Sequence, residues 1–155
     1  MAKQRFSIAH EDEEMRELVS KTDHKKLARW AIDCTERVLP YFEEKYPNDP
    51  RPRIALQTLR EWMDTGKFSM SIIRKASLDS HAAAREVGMD NPARSAARAT
   101  GQAVATAHVS SHAYGSAVYS QQAIHRSNSP EDAEANAKKE RDWQYKHLLK
   151  LTERS

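Results

Sequence analysis

Apolar residues recur at intervals of three and four along most of this chain, and the interruptions divide it into about six helical segments. Acidic residues open the first, over about 11–21, where they complement the positive end of a helix. Asp23 reads as an N-cap, and Leu27, Trp30, Ala31, Cys34, Val38, Tyr41 and Phe42 follow on one face, with Pro40 set to kink or divide the helix. Tyr46-Pro47-Asn48-Asp49-Pro50-Arg51-Pro52 is a loop whose last proline suits the first turn of a helix carrying Ala55, Leu59, Trp62 and Met63 up to Gly66. A fourth helix is expected from Ser69 to Val87, closed by Gly88.

Asn91-Pro92 combines a capping side chain with a first-turn proline. No proline follows until beyond His125, which predicts one long Ala-rich helix or two stacked end to end, with Gly101 and Gly115 as the weak points. Ser129-Pro130-Glu131-Asp132 restarts the pattern, and the last helix should run to near Leu151, docking through Trp143, Leu148 and Leu151. Trp30, Cys34, Val38, Leu59, Trp62, Ile73 and Val104 are the expected core. Strand-forming alternation is absent. The expected fold is all-α, a single antiparallel bundle of five to seven helices over 10–153, preceded by an N-terminal tail over 1–9.

Composition narrows the class without naming an activity. The 155 residues are 39% hydrophobic and 30% charged, enough apolar material for one modest core. No apolar stretch approaches the ~20 residues of a bilayer span, the N-terminus lacks a signal-peptide core, and the lone Cys34 suits a reducing compartment, so a cytoplasmic protein is expected. With 25 basic and 22 acidic residues the net charge is only +3, too weak a bias for a dedicated nucleic-acid binder. Arg74, Lys75, Arg85, Arg94 and Arg98 nevertheless leave the middle of the chain short of carboxylates.

Three histidines stand out. On a continuous fifth helix, Gly101, Val104, Ala105, His108, Ser111, His112, Gly115 and Tyr119 would share a face, placing two imidazoles one turn apart on a strip of small residues. His108 and His112 are weak metal candidates, because His108-Val109-Ser110-Ser111-His112 lacks the glutamate of the zinc-protease helix and supplies no third ligand. His81 and Arg85 form a second pair with the same spacing, and could meet the first in a polar pocket for an anion or a partner's carboxylate, or hydrogen-bond to Asp33 or Asp79. No catalytic residue, metal or cofactor is expected: Cys34 sits on an apolar face, and neither a serine elbow nor a phosphate loop occurs.

The run from Asp33 to Pro47, then Arg51-Pro52-Arg53, His81-Ala82-Ala83-Ala84-Arg85, Gly101 to Val109, His112-Ala113 and Glu140-Arg141-Asp142-Trp143-Gln144 resemble the small all-helical immunity proteins of bacterial and archaeal polymorphic-toxin systems. The resemblance covers about 25–151. It implies a protein that binds and neutralises a cognate toxin, without catalysis, and it marks Asp33, His81, Arg85, His108 and His112 as candidate ligand- or partner-binding residues. Two alternatives stay open beside it. One is a metal- or small-ligand-binding helical protein, or an enzyme, using His81, His108 and His112; the other is a nucleic-acid-binding module using Arg74, Lys75, Arg94 and Arg98.

Overall fold

A computed structural model describes Phe6 and residues 12–153. Among these described residues eight helices succeed one another: α1 (Glu13–Lys21), α2 (His24–Glu36), α3 (Leu39–Glu43), α4 (Arg51–Thr65), α5 (Met70–Val87), α6 (Pro92–Ala105), α7 (His112–Ser127) and α8 (Ala133–Glu153). No strand occurs among the described residues. The expected tail over 1–9 and the expected start of the first helix at Glu11 lie outside them, apart from Phe6, whose ring meets His125 edge-on at 5.4 Å.

Local chemistry sets the boundaries. Asp12, Asp23, Ser69 and Asn91 each accept a backbone N–H of the first turn of the helix they precede. Pro40 does divide the second segment, giving α2 and the short α3. Gly66 and Gly88 close α4 and α5 with φ of 70° and 77°, a left-handed conformation that costs glycine nothing. α8 starts at Ala133, because Ser129 to Asp132 form a turn before it.

The central helix is α6, which packs against α2, α3, α4, α5 and α7. It carries alanine, serine, threonine and glycine on nearly every side, and small side chains let five neighbours approach at once. Larger side chains fill the space around it, with Trp30, Ile32, Leu39, Phe42, Leu56 and Leu59 essentially inaccessible. Of the expected core, Trp30, Cys34, Val38, Leu59, Ile73 and Val104 are buried. Trp62 is partly buried and packs against that core, one turn from the C-terminus of α4, with its ring 4.8 Å from that of His24 and tilted 48° to it.

The expected continuous helix over 92–125 is two antiparallel helices, not one rod or an end-to-end stack. α6 stops at Ala105, residues 106–111 turn, and α7 returns along α6, with Ser95 near the start of one hydrogen-bonded to Gln122 near the end of the other. The break falls at Val109-Ser110-Ser111, where a β-branched residue and two serines that compete for backbone hydrogen bonds are poor helix formers. His24 adds a specific anchor, its Nε2–H donating to the Thr106 carbonyl at 2.5 Å. No helix of the described residues is long and apolar enough to cross a membrane.

Candidate functional site

Spacing along α5 aligns Arg74, Ser77, His81 and Arg85 beside its buried stripe of Ile73, Ala76, Ser80, Ala83 and Ala84. The stripe faces α6, so these polar side chains arrive at the seam between the two helices. Ser77 donates to the Gly101 carbonyl at 2.9 Å and Ser80 to that of Ala97 at 2.8 Å. Arg98 donates from Nη1 to His81 Nδ1 at 2.9 Å, which leaves the ring proton of neutral His81 on Nε2. That edge of the ring lies against Gly101 so closely that a Cβ built there would sit 2.6 Å from Nε2.

A second seam continues the first. His112, the first residue of α7, donates from Nδ1 to Gln102 Oε1 at 2.8 Å, and the Gln102 amide in turn occupies the space a Cβ on Gly115 would need, 2.7 Å from Oε1. His81, Gly101, Gln102, His112 and Gly115 thus interlock three helices. The small residues do permit close approach as expected, but what approaches is an imidazole and an amide rather than another helix. His108 is not on a helical face with His112. It sits in the turn after α6, exposed, with its ring 6.1 Å from that of Phe68.

Burial, then the Arg98 and Arg85 guanidiniums and His112, hold His81 well below the usual histidine range, at about 4. His112 is lowered too, by burial and then by His108. At neutral pH these two rings are uncharged, and the positive charge of the seam belongs to arginine. None of the ion pairs among the described residues involves Arg74, Arg85 or Arg98. The carboxylates nearby are engaged by other cations: Asp79 by Lys75, Asp90 by Arg94 and Arg126, and Glu86 by Arg51. Beside Arg74 a groove of about 340 Å³ opens between Met70, Leu78, Ala105 and His108, floored by Ile73.

Asp33 is elsewhere, on the seam of α2 and α8. It accepts from His147 Nε2 at 2.7 Å and from Arg29 Nε at 3.3 Å, and hydrogen-bonds to neither His81 nor His112. The His147 ring stacks on Trp143 at 4.8 Å, and the Arg37 guanidinium covers Trp143 at 3.8 Å while gripping Glu140 through two bonds of 2.7 and 3.0 Å. His147, Gln102 and Glu140 are not among the candidate site residues read from sequence; for α8 the signal lies in the recurrence of Ala133, Ala137, Glu140, Gln144 and Leu148 at three and four. Arg98 emerged only as a nucleic-acid candidate.

Chemically, the arrangement can hold and present charge. Among the described residues no three His, Cys, Asp or Glu side chains gather as a metal-ligand set. Cys34 is fully buried and its thiol is pushed well up, chiefly by burial, which suppresses the reactive thiolate. Over residues 17–151 the chain matches the model of a family described as Imm-5 like putative immunity protein. No match was found among curated proteins or among solved structures.

Proposed function

The chain belongs to the Imm-5 like putative immunity protein family, and from that premise we propose that it neutralises a cognate toxin of a polymorphic-toxin system by stoichiometric binding, in the cytoplasm, without turnover of its own. The observation that carries this reading is the outer edge of α5 and α6. There Arg85 and Arg98, with which no carboxylate of the described residues pairs, lie beside the neutral His81 and give the edge its positive charge, and the turn bearing His108 leads to His112 at the start of α7. Of the five candidate residues, His81, Arg85, His108 and His112 belong to this face, and Asp33 supports the packing of α8.

Rigid presentation suits inhibition, because a surface already ordered loses little conformational entropy on docking. Nucleic-acid binding is less well supported, since two of its four proposed contacts, Lys75 and Arg94, are neutralised by Asp79 and Asp90. The test titrates this protein into its toxin, taken first as the product of the adjacent gene. Loss of toxic activity should saturate at a fixed molar ratio, with a complex burying about 1,200–2,000 Å² in total and an association rate that falls with salt. Neutralisation far below equimolar amounts, lost in His108→Ala with the fold intact, would establish turnover and overturn the proposal, as would the absence of a complex.

A further inference from the structure

α5 is an edge helix. It packs mainly on α4 and α6, and its outer side carries apolar groups in water: Met70 is 41% exposed, Ile72 60% and Leu78 56%, with Val109 of the 106–111 turn at 41%. Exposed apolar groups scattered singly need no explanation, but Met70 and Leu78 of α5 line the same groove as Ala105 at the end of α6 and His108 beyond it, and Arg74 lines it with them. Further along the same stripe come Arg85 and, across the seam, Arg98. No carboxylate of the described residues pairs with any of the three, although Asp79, Glu86 and Asp90 are close in sequence and pair with other cations.

A groove with apolar walls and one guanidinium in its lining, with two more guanidiniums further along the same edge and no carboxylate of the described residues paired with any of the three, specifies the chemistry of what covers it. We infer that the α5–α6 edge grips an acidic, amphipathic segment of the partner protein, with one or two apolar side chains in the Met70–Leu78 groove and carboxylates on Arg74, Arg85 and Arg98. This rests on the reading of the protein as a toxin-binding module and adds the chemistry of the toxin's contact segment. Arginine favours carboxylates because its planar fork donates two parallel hydrogen bonds. His81 positions Arg98 by accepting one of its five N–H groups at 2.9 Å. A polynucleotide would use the cations and leave the exposed leucine and methionine in water, which is why a protein segment fits better. The groove, about 340 Å³, is near the lower limit of small-molecule pockets, roughly 300–1,000 Å³, and suits side chains rather than a whole ligand.

The probe is a blocked peptide of about 14 residues with leucine and glutamate at helical spacing, compared with its glutamine counterpart. Backbone amide and arginine Nε signals of the full chain are followed by NMR at about 50 mM salt. The expected result is saturable shifts confined to α5, the start of the 106–111 turn and Arg98, about tenfold weaker for the glutamine peptide and similarly weakened by Arg74→Glu with Arg85→Glu. Both substituted side chains are exposed, so the fold should survive. Equal binding of the two peptides, shifts on another face, or tighter binding of a single-stranded oligonucleotide at the same residues would overturn the inference. Toxin neutralisation is scored separately with the same double variant: neutralisation that persists unchanged overturns this contact while leaving the toxin-binding reading intact, whereas a wild-type chain that binds the peptide and forms no toxin complex overturns that reading instead.

Discussion

Gly101 and Gly115 look alike in the sequence and are not alike in the structure. At Gly101 an added methyl group would meet the His81 ring, a stiff group pinned on its other side by Arg98; at Gly115 it would meet the far end of Gln102, which can swing away. Gly101→Ala should therefore destabilise by about 1–3 kcal/mol, since overpacking outweighs the ~1 kcal/mol that alanine gains in a helix. Gly115→Ala should stay within about 1 kcal/mol of the parent, the lost Gln102–His112 bond offsetting the same helix gain, and urea denaturation of both variants measures the contrast. His81 supplies a pH signature. Its folded-state pKa of about 4 lies below the ~6.5 of an unfolded histidine, so the unfolded chain binds the extra proton and stability falls as pH drops from about 6.5 to 4. With partial exposure screening the effect, about 1–2 kcal/mol should be lost over that window, and the loss attributable to His81 should vanish in His81→Gln. The sequence exposed these residues as unusual because a glycine and histidines inside alanine-rich helices have few local reasons to be there. It could not pair His81 with Arg98, seventeen positions away, because that contact depends on how two helices cross.

Helix starts and stops were legible where a side chain or a missing N–H enforces them: Asp23, Pro40, Ser69, Gly66, Gly88 and Asn91 all act as read. The end of α6 was hidden because no proline or glycine marks it, and a serine pair within a turn is a weak signal against a long run of alanine. α8 docks through Leu148, with Trp143 and Leu151 packed against the core as expected, but its buried face is also polar: Glu140, at 6% exposure, and the fully buried Gln144 lie beside Leu148. Gln144 is satisfied on every side: its amide donates to the Ala117 carbonyl and accepts from Gln121, and its own carbonyl accepts from Trp30 Nε1. A hydrophobicity pattern cannot find a helix that docks by polar complementarity. Glu140→Ala should cost about 2–3 kcal/mol, below the value for a fully buried pair because Arg37 can still reach water, and thermal unfolding of the variant should show it. Arg37→Met, which keeps an apolar chain beside Trp143 but removes the guanidinium from its face and strands Glu140, should be at least as costly.

At the scale of the whole molecule, the all-α class followed from composition and periodicity, but the antiparallel return of α7 along α6 did not. What did not follow is that the middle of the bundle is built from alanine, serine and glycine, with bulky side chains around it. Helices packed that closely leave little room to rearrange, so the charged edge of α5 and α6 is held by a stiff centre. The single thiol makes that stiffness measurable. Cys34 is inaccessible and disfavours its thiolate, so a thiol-reactive dye can reach it only when the bundle opens. In the native protein, labelling should be slower than for a free thiol by a factor near the unfolding equilibrium constant, and should accelerate in step with Gly101→Ala, by about 5- to 150-fold for the 1–3 kcal/mol expected there. Cys34 is buried within the bundle on α2, so a partner that seals the α5–α6 edge should slow labelling by stabilising the folded chain. The reagent would then act as a clock for complex formation, running slower as partner concentration rises, without any tag placed on the binding surface.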